Sequence, residues 1–245
     1  SGKDHHDNEL TLGELFSSVE KTGDLPKTAA PSVKEFIDFF DVHGPQVYVG
    51  LSSQLSATMA NAQMAVNQLG KSDLYLVDSR NLSTGIGLLA LKAADLRDQD
   101  KKAEEIVTTI KALRPQVKTA FVIDTMDYLH KGGRCTGLQA FVGSMLEIRP
   151  VINVRQEGTL GVQDKVRGSR NKALDRLVQG FSDDLPDVDL TRVFVTHTGC
   201  EGDAAYLVDE LNKLAEIESV HVTHAGATIA SHCGRDTIGV LYLKK

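Results

Sequence analysis

Short apolar runs separated by longer amphipathic segments constrain this chain more than any other feature. Gln46-Val47-Tyr48-Val49-Gly50-Leu51, Leu74-Tyr75-Leu76-Val77 and Thr119-Ala120-Phe121-Val122-Ile123 have the length and the β-branched or aromatic content of strands. Residues 55–69, rich in Ala, Met and Gln, follow the first run, and about 85–96 and 103–113 follow the second. Those side chains lose little freedom in a helix. Buried strands joined by helical crossovers predict a parallel sheet covered on both faces.

Upstream of these runs, Thr11-Leu12-Gly13-Glu14 has capping-box spacing, with Leu12, Leu15, Phe16 and Val19 at helical intervals. Ser32 is placed to cap a second helix carrying Val33, Phe36, Ile37 and Phe40 on one side. The later part is more mixed. Residues 147–154 and 159–166 read as two strands turning at Glu157-Gly158, a hairpin signal. A helix over about 169–181, a strand over 192–197, a helix over 204–214 and strands over 220–224 and 238–243 follow. A soft boundary near Met145 divides an N-terminal α/β domain, 1–145, from a C-terminal one, 146–245.

Composition narrows the function. The 27 basic residues against 33 acidic ones leave a net charge of −6, which argues against a nucleic-acid surface, since that needs a basic face to displace counterions. Three cysteines far apart form neither a disulfide framework nor a CxxC knuckle, so a reducing cytoplasm is expected. No secretory signal is expected from the polar opening residues, and no apolar run approaches the roughly 18 residues of a membrane span. Contact with a membrane is expected to be peripheral or absent.

The chemically informative residues cluster at strand ends. Ser52, Ser53, Ser56 and Thr58 follow the first strand, where the next helix offers unpaired N–H groups and a positive dipole end. A carboxylate or phosphate suits that place, although the same serines also make good caps. Thr28 sits in the Pro-bounded loop Pro26-Lys27-Thr28-Ala29-Ala30-Pro31. Gly85-Ile86-Gly87-Leu88-Leu89-Ala90 matches GxGxx[GA], but the next element is another helix where a dinucleotide fold needs a strand ending in an acid. Gly50-Leu51-Ser52-Ser53-Gln54 approaches a nucleophile elbow, with Asp78 and His232 as triad partners, yet Gln54 replaces the final glycine. A serine hydrolase acting on acyl esters through Ser52 or Ser53 is therefore the alternative reading. Lys131-Gly132-Gly133-Arg134 is a flexible turn ending in a cation. His197, His224 and His232 each follow or sit within an expected strand, but convergence on a metal is not expected.

Eight ordered segments, LPKTAAPSVKEF, VGLSSQLSATMANAQMA, LVDSRNLSTGIGLLAL, MDYLHKGGRCTG, IRPVINVRQEGTL, KVRGSRNKAL, THTGCEGDAAYLVDEL and SHCGRDTIGV, together resemble the DegV family of bacterial fatty-acid-binding proteins. The resemblance implies a two-domain α/β protein with a parallel sheet, a second mixed domain and a tunnel between them for one long-chain fatty acid. It further implies a noncatalytic carrier that presents the carboxylate to a separate ATP-binding kinase subunit for acyl phosphate formation, with no cofactor. Thr28 matches the hydroxyl residue of the family's TSQP loop, and Ser53, Ser56 and Ala57 match its SSxLSGT segment, so these are expected to hold the carboxylate. Arg167 or Arg170 and His232 match positions facing the carboxylate and the kinase. The chain departs from the pattern at Ala29-Ala30 for Ser-Gln, at Ala57 for Gly and at Arg235-Asp236 for Pro-Gly. The family's opening strand, ending in Asp-Ser-Thr, has no counterpart in the sequence.

Overall fold

A computed structural model describes residues 4–134, 138 and 148–245. Over these residues the chain gathers into two compact units. One comprises residues 1–28, 119–153 and 160–245; the other comprises 29–118 and 154–159. These are not the halves 1–145 and 146–245, and Met145 itself lies outside the described residues. The chain passes between the units after residues 28, 118, 153 and 159.

The smaller unit begins with α2 (Val33–Phe40), α1 (Leu12–Thr22) belonging to the other unit. Both helices start with complete capping boxes: Thr11 with Glu14, as the spacing predicts, and Ser32, expected as a cap, with Glu35 as its reciprocal partner. Next come β1 (Gln46–Gly50), α3 (Thr58–Leu69), β2 (Leu74–Asp78), α4 (Thr84–Asp98) and α5 (Ala103–Leu113). Strands β1 and β2 pair in parallel, with Gln46 opposite Leu74 and Gly50 opposite Asp78. Phe36, Phe40, Ala62, Ala65 and Leu74 bury one core between α2, α3 and this sheet, with Tyr48 packed edge-on against Phe36. Helix α3 starts three residues later than expected. The Ser56 side chain accepts the Thr58 N–H, and the extended run ends in a hydroxyl-stabilised turn before the helix begins. The GxGxx[GA] segment forms the first turns of α4, followed by α5, so the strand a dinucleotide site requires is not the next element.

The larger unit contains β3 (Val117–Val122), α6 (Asp127–Lys131), β4 (Ile148–Val154), β5 (Leu160–Arg167), α7 (Arg170–Asp184), β6 (Val188–His197), α8 (Glu201–Leu214), β7 (Val220–His224), α9 (Ala227–Cys233) and β8 (Ile238–Lys244). Its sheet has the order β5-β4-β3-β8-β6-β7. Strand β3 lies antiparallel to β4, and β6 is parallel to β7 but antiparallel to β8. The run 119–123, expected in the N-terminal parallel sheet, therefore belongs to the mixed sheet. Strand type was encoded locally; strand neighbours were not. Leu174, Leu177 and Phe181 of α7 and Leu207 and Leu211 of α8 pack with Val193, Val195 and Val240 in the main core.

Helix α9 was not anticipated. Its seven residues are mostly small or polar, too few to display an apolar stripe. Its start is held by a distant residue, Asp7, whose Oδ1 accepts the Thr228 N–H at 2.6 Å.

Candidate functional site

Two groups of expected site residues fall in different units. In the smaller unit, the loop after β1 lies at the carboxyl ends of two parallel strands, where open α/β sheets place ligands. Ser52 is completely buried: its Oγ donates to Gly158 O at 2.8 Å and its N–H to Asn81 O at 2.9 Å. The Ser52 carbonyl accepts the N–H groups of Leu55 and Ser56, closing the loop on itself. Ser53 is exposed, and its Oγ donates to Asp78 Oδ2 at 2.6 Å. Ser56 Oγ and Thr58 Oγ1 lie 2.8 Å apart. Ala57 stands at the N-cap of α3 with no side-chain bond to the first turn. Ser56 Oγ takes the Thr58 N–H, but alanine at the cap offers no side-chain acceptor to the N–H groups further into the first turn, which suits solvent or an anion there.

The same geometry weakens the hydrolase alternative. A nucleophilic serine needs a base that can take its proton. Ser52 donates to a backbone carbonyl, which is no base, and has no solvent access. Ser53 donates directly to a carboxylate, with no imidazole between them.

In the larger unit, Thr28 Oγ1 lies 2.8 Å from His232 Nε2, so the two residues expected from separate motifs meet. His232 projects from α9, not from a strand. Its ring packs against Gly132, where an added Cβ would collide with Nδ1. That Nδ1 is buried without a hydrogen-bond partner among the described residues. Burial, and then the positive charge of Arg134, push the His232 pKa below its ordinary 6.5. Both effects favour the neutral imidazole. Gly132 and Arg134 belong to the Lys-Gly-Gly-Arg turn, and Arg134 also donates to Gly132 O at 2.6 Å. The turn reads in sequence as a flexible cation; its function as a wall for His232 had no local signal. Cys135 lies outside the described residues.

The arginines behave differently from each other. Arg170, at the start of α7, donates from Nε to Asp203 Oδ2 at 2.6 Å and from Nη2 to the Asp236 carbonyl. It lies 3.9 Å from Asp124, which Arg149 approaches at 3.0 Å. Arg170 therefore ties α7 to α8 and to the turn after α9. Arg167, at the end of β5, is exposed.

The histidines converge in a pair, not in the trio considered from sequence. His197 and His224 face each other across β6 and β7 with ring centroids 4.4 Å apart, and Glu201 joins them so that one ligating atom of each lies within 4.8 Å of the others. His232 is absent from this group. The two long bonds from Gly199 N–H and Cys200 N–H to His197 Nδ1, 3.3 and 3.2 Å, place the proton of the neutral ring on Nε2. A metal-ligating histidine ordinarily donates its second ring N–H outward, the reverse arrangement.

Comparison with known proteins agrees with the architecture. The family profile described as "Uncharacterised protein, DegV family" matches residues 1–245. A DegV domain-containing protein of Caldanaerobacter subterraneus subsp. tengcongensis is 30% identical over 248 residues, spanning 100% of this chain and 88% of its own. A DegV family protein from Thermus thermophilus, solved in a study of its fatty acid binding, aligns with a TM-score of 0.88 and 27% identity over 96% of this chain and 85% of that one. The Streptococcus pneumoniae Fatty Acid Kinase (Fak) B3 protein, solved loaded with linoleic acid, shares the fold with a TM-score of 0.86 at 22% identity, over 96% of this chain and 84% of that one. With residues 1–245 matched by the family profile and its mixed α/β architecture shared with these structures, the chain belongs to the DegV family.

Proposed function

We propose that this protein binds a long-chain fatty acid and presents its carboxylate to a separate ATP-dependent kinase subunit, which forms the acyl phosphate. The observation that carries the binding half is the likeness to the Thermus thermophilus DegV protein, whose reported property is fatty acid binding. The kinase half rests on the eight-segment family resemblance, because the likeness to the Fak B3 protein supports the fold alone. Affinity comes mainly from the tail, at about 0.8 kcal/mol for each buried methylene. Thr28 and Ser56 supply hydroxyl donors for the carboxylate, Ser53 joins them when its hydroxyl turns away from Asp78, and the first turn of α3 beyond Thr58, with no side-chain cap from Ala57, adds backbone N–H groups. His232, with Arg167 or Arg170, serves transfer at the kinase interface, where the developing acyl phosphate adds negative charge. A carrier needs no activated nucleophile, which agrees with the engaged hydroxyls of Ser52 and Ser53. The expected setting is cytoplasmic, in keeping with the cysteine usage; no described helix is long and apolar enough to cross a membrane.

Native mass spectrometry of the purified protein tests the reading directly. A retained fatty acid, displaced by added fatty acid after delipidation, is the expected result. Delipidated protein that ignores fatty acids of every length overturns it. Acyl phosphate formed only when protein, ATP and a cognate kinase subunit are combined tests the second half.

A further inference from the structure

Ser52 and Gly158 form a contact that the fatty-acid reading leaves unused. Ser52 is the knot of its loop. Its Oγ donates to Gly158 O at 2.8 Å and accepts the Gln54 N–H at 3.3 Å, while its carbonyl holds Leu55 and Ser56. Its own N–H is anchored to Asn81 O at 2.9 Å, in the loop that follows β2. Ser52 is wholly inaccessible and Asn81 and Gly158 are buried, while Gln54 on the same loop is exposed. A buried hydroxyl with a donor and an acceptor partner is costly to disturb, because either partner left alone loses its water and gains nothing.

Gly158 sits at the tip of the β4–β5 hairpin, in residues 154–159, which belong to the same unit as Ser52. Its φ is +93°, a conformation that side chains other than glycine rarely adopt. Space is equally restrictive. A Cβ at 158 would collide with Ser52 Oγ and stand 3.1 Å from Arg80 Cα. The glycine is thus required both by its backbone and by the close approach of the serine.

We infer that Ser52 and Gly158 are positioning residues: the hairpin tip, through the Ser52 hydroxyl, sets the shape of loop 53–57 and so the donors it offers to a carboxylate. Neither residue touches the ligand. This rests on the proposed head-group role of Ser53 and Ser56. The consequence is selectivity for the acid group, governed by a residue 106 positions along the chain from the serine.

The test compares oleic acid with oleyl alcohol on the full chain, for wild type, Ser52→Ala and Gly158→Ala, with melting temperatures recorded for each. Loss of one buried hydrogen bond and displacement of the loop are expected to weaken oleic acid by about tenfold in both variants, while oleyl alcohol changes by less than about twofold. Backbone amide exchange at Gln54, Leu55 and Ser56 is measured on the ligand-free proteins and is expected to accelerate in both variants. Equal weakening of acid and alcohol, or unaltered affinity for both, overturns the inference. Unaltered amide exchange also overturns it, whatever the ligand does. Wild type that binds neither lipid defeats the fatty-acid reading instead, and leaves the exchange measurement to decide whether the hairpin tip shapes the loop. Should one variant not fold, the other carries both measurements.

Discussion

Thr28 Oγ1 and His232 Nε2 are 2.8 Å apart although 204 positions separate them in sequence. This bond joins the Pro-bounded loop to α9, and the buried Nδ1 on the opposite side of the ring has no described partner. Thr28→Val removes the hydroxyl at nearly constant volume. A loss of about 1 kcal/mol is expected in denaturant unfolding, together with weaker fatty acid binding. Unchanged values for both would show that the bond contributes nothing.

The histidines impose a direction on pH dependence. Burial lowers the His232 pKa from 6.5, with Arg134 adding to the effect, and burial followed by the charge of His224 lowers that of His197. The unfolded chain therefore takes up these protons first as pH falls. Their contribution is whole above pH 6.5 and disappears as pH drops from there through the lowered folded values. Urea unfolding across that window is expected to show declining stability, with a shallower slope for His232→Gln. An identical slope in the variant would remove His232 as a source.

Replacing Arg170 by Ala leaves Asp203 and the Asp236 carbonyl without their donor. The pair is only partly buried, with 20% and 26% of the side chains exposed, so solvent reduces the effect; a loss of about 2 kcal/mol is expected. Arg167→Ala, on an exposed strand end, is expected to change stability by less than about 0.5 kcal/mol. If the kinase subunit is supplied, reduced phosphorylation in the Arg167 variant at unchanged melting temperature would assign transfer to Arg167. The same result for a fully stable Arg170 variant would assign it to Arg170.

Asp236 occupies a left-handed conformation with φ +58° in the turn where the family pattern has glycine. Its backbone function, accepting from Arg170, survives any side-chain change. Asp236→Gly is expected to be neutral or stabilising by up to about 1 kcal/mol, and Asp236→Val destabilising by at least as much. Thermal unfolding of the two variants decides it, and the reverse order would contradict the backbone account.

Zinc is expected to leave the melting temperature unchanged at equimolar concentration. The amides of Gly199 and Cys200 hold the acceptor nitrogen of His197, which leaves its outer nitrogen protonated despite the nearby Glu201 and His224. A stabilisation abolished by His224→Ala would show that the ring turns over to bind metal.

Local order was legible in this chain because it depends on neighbours a few residues away. The capping boxes at Thr11 and Ser32, the strand β7 over residues 220–224 and the helix α5 over 103–113 needed only i to i+4 patterning, and the hairpin turn only its glycine. The hydroxyl cluster after β1 was visible for the same reason, since strand ends and helix starts are local events. Other features required the folded chain. Strand β3 joined the mixed sheet because pairing is chosen by register and burial among distant strands, not by the strand's own residues. The start of helix α9 is held by the Asp7 carboxylate from the far end of the sequence. The sequence by itself determined which segments are strands and helices and where hydroxyl donors gather. Only the tertiary structure decided which serine is buried, which arginine is a strut and which threonine meets His232, because hydrogen-bond partners are set by where the backbone returns, and no spacing rule reaches across 204 positions.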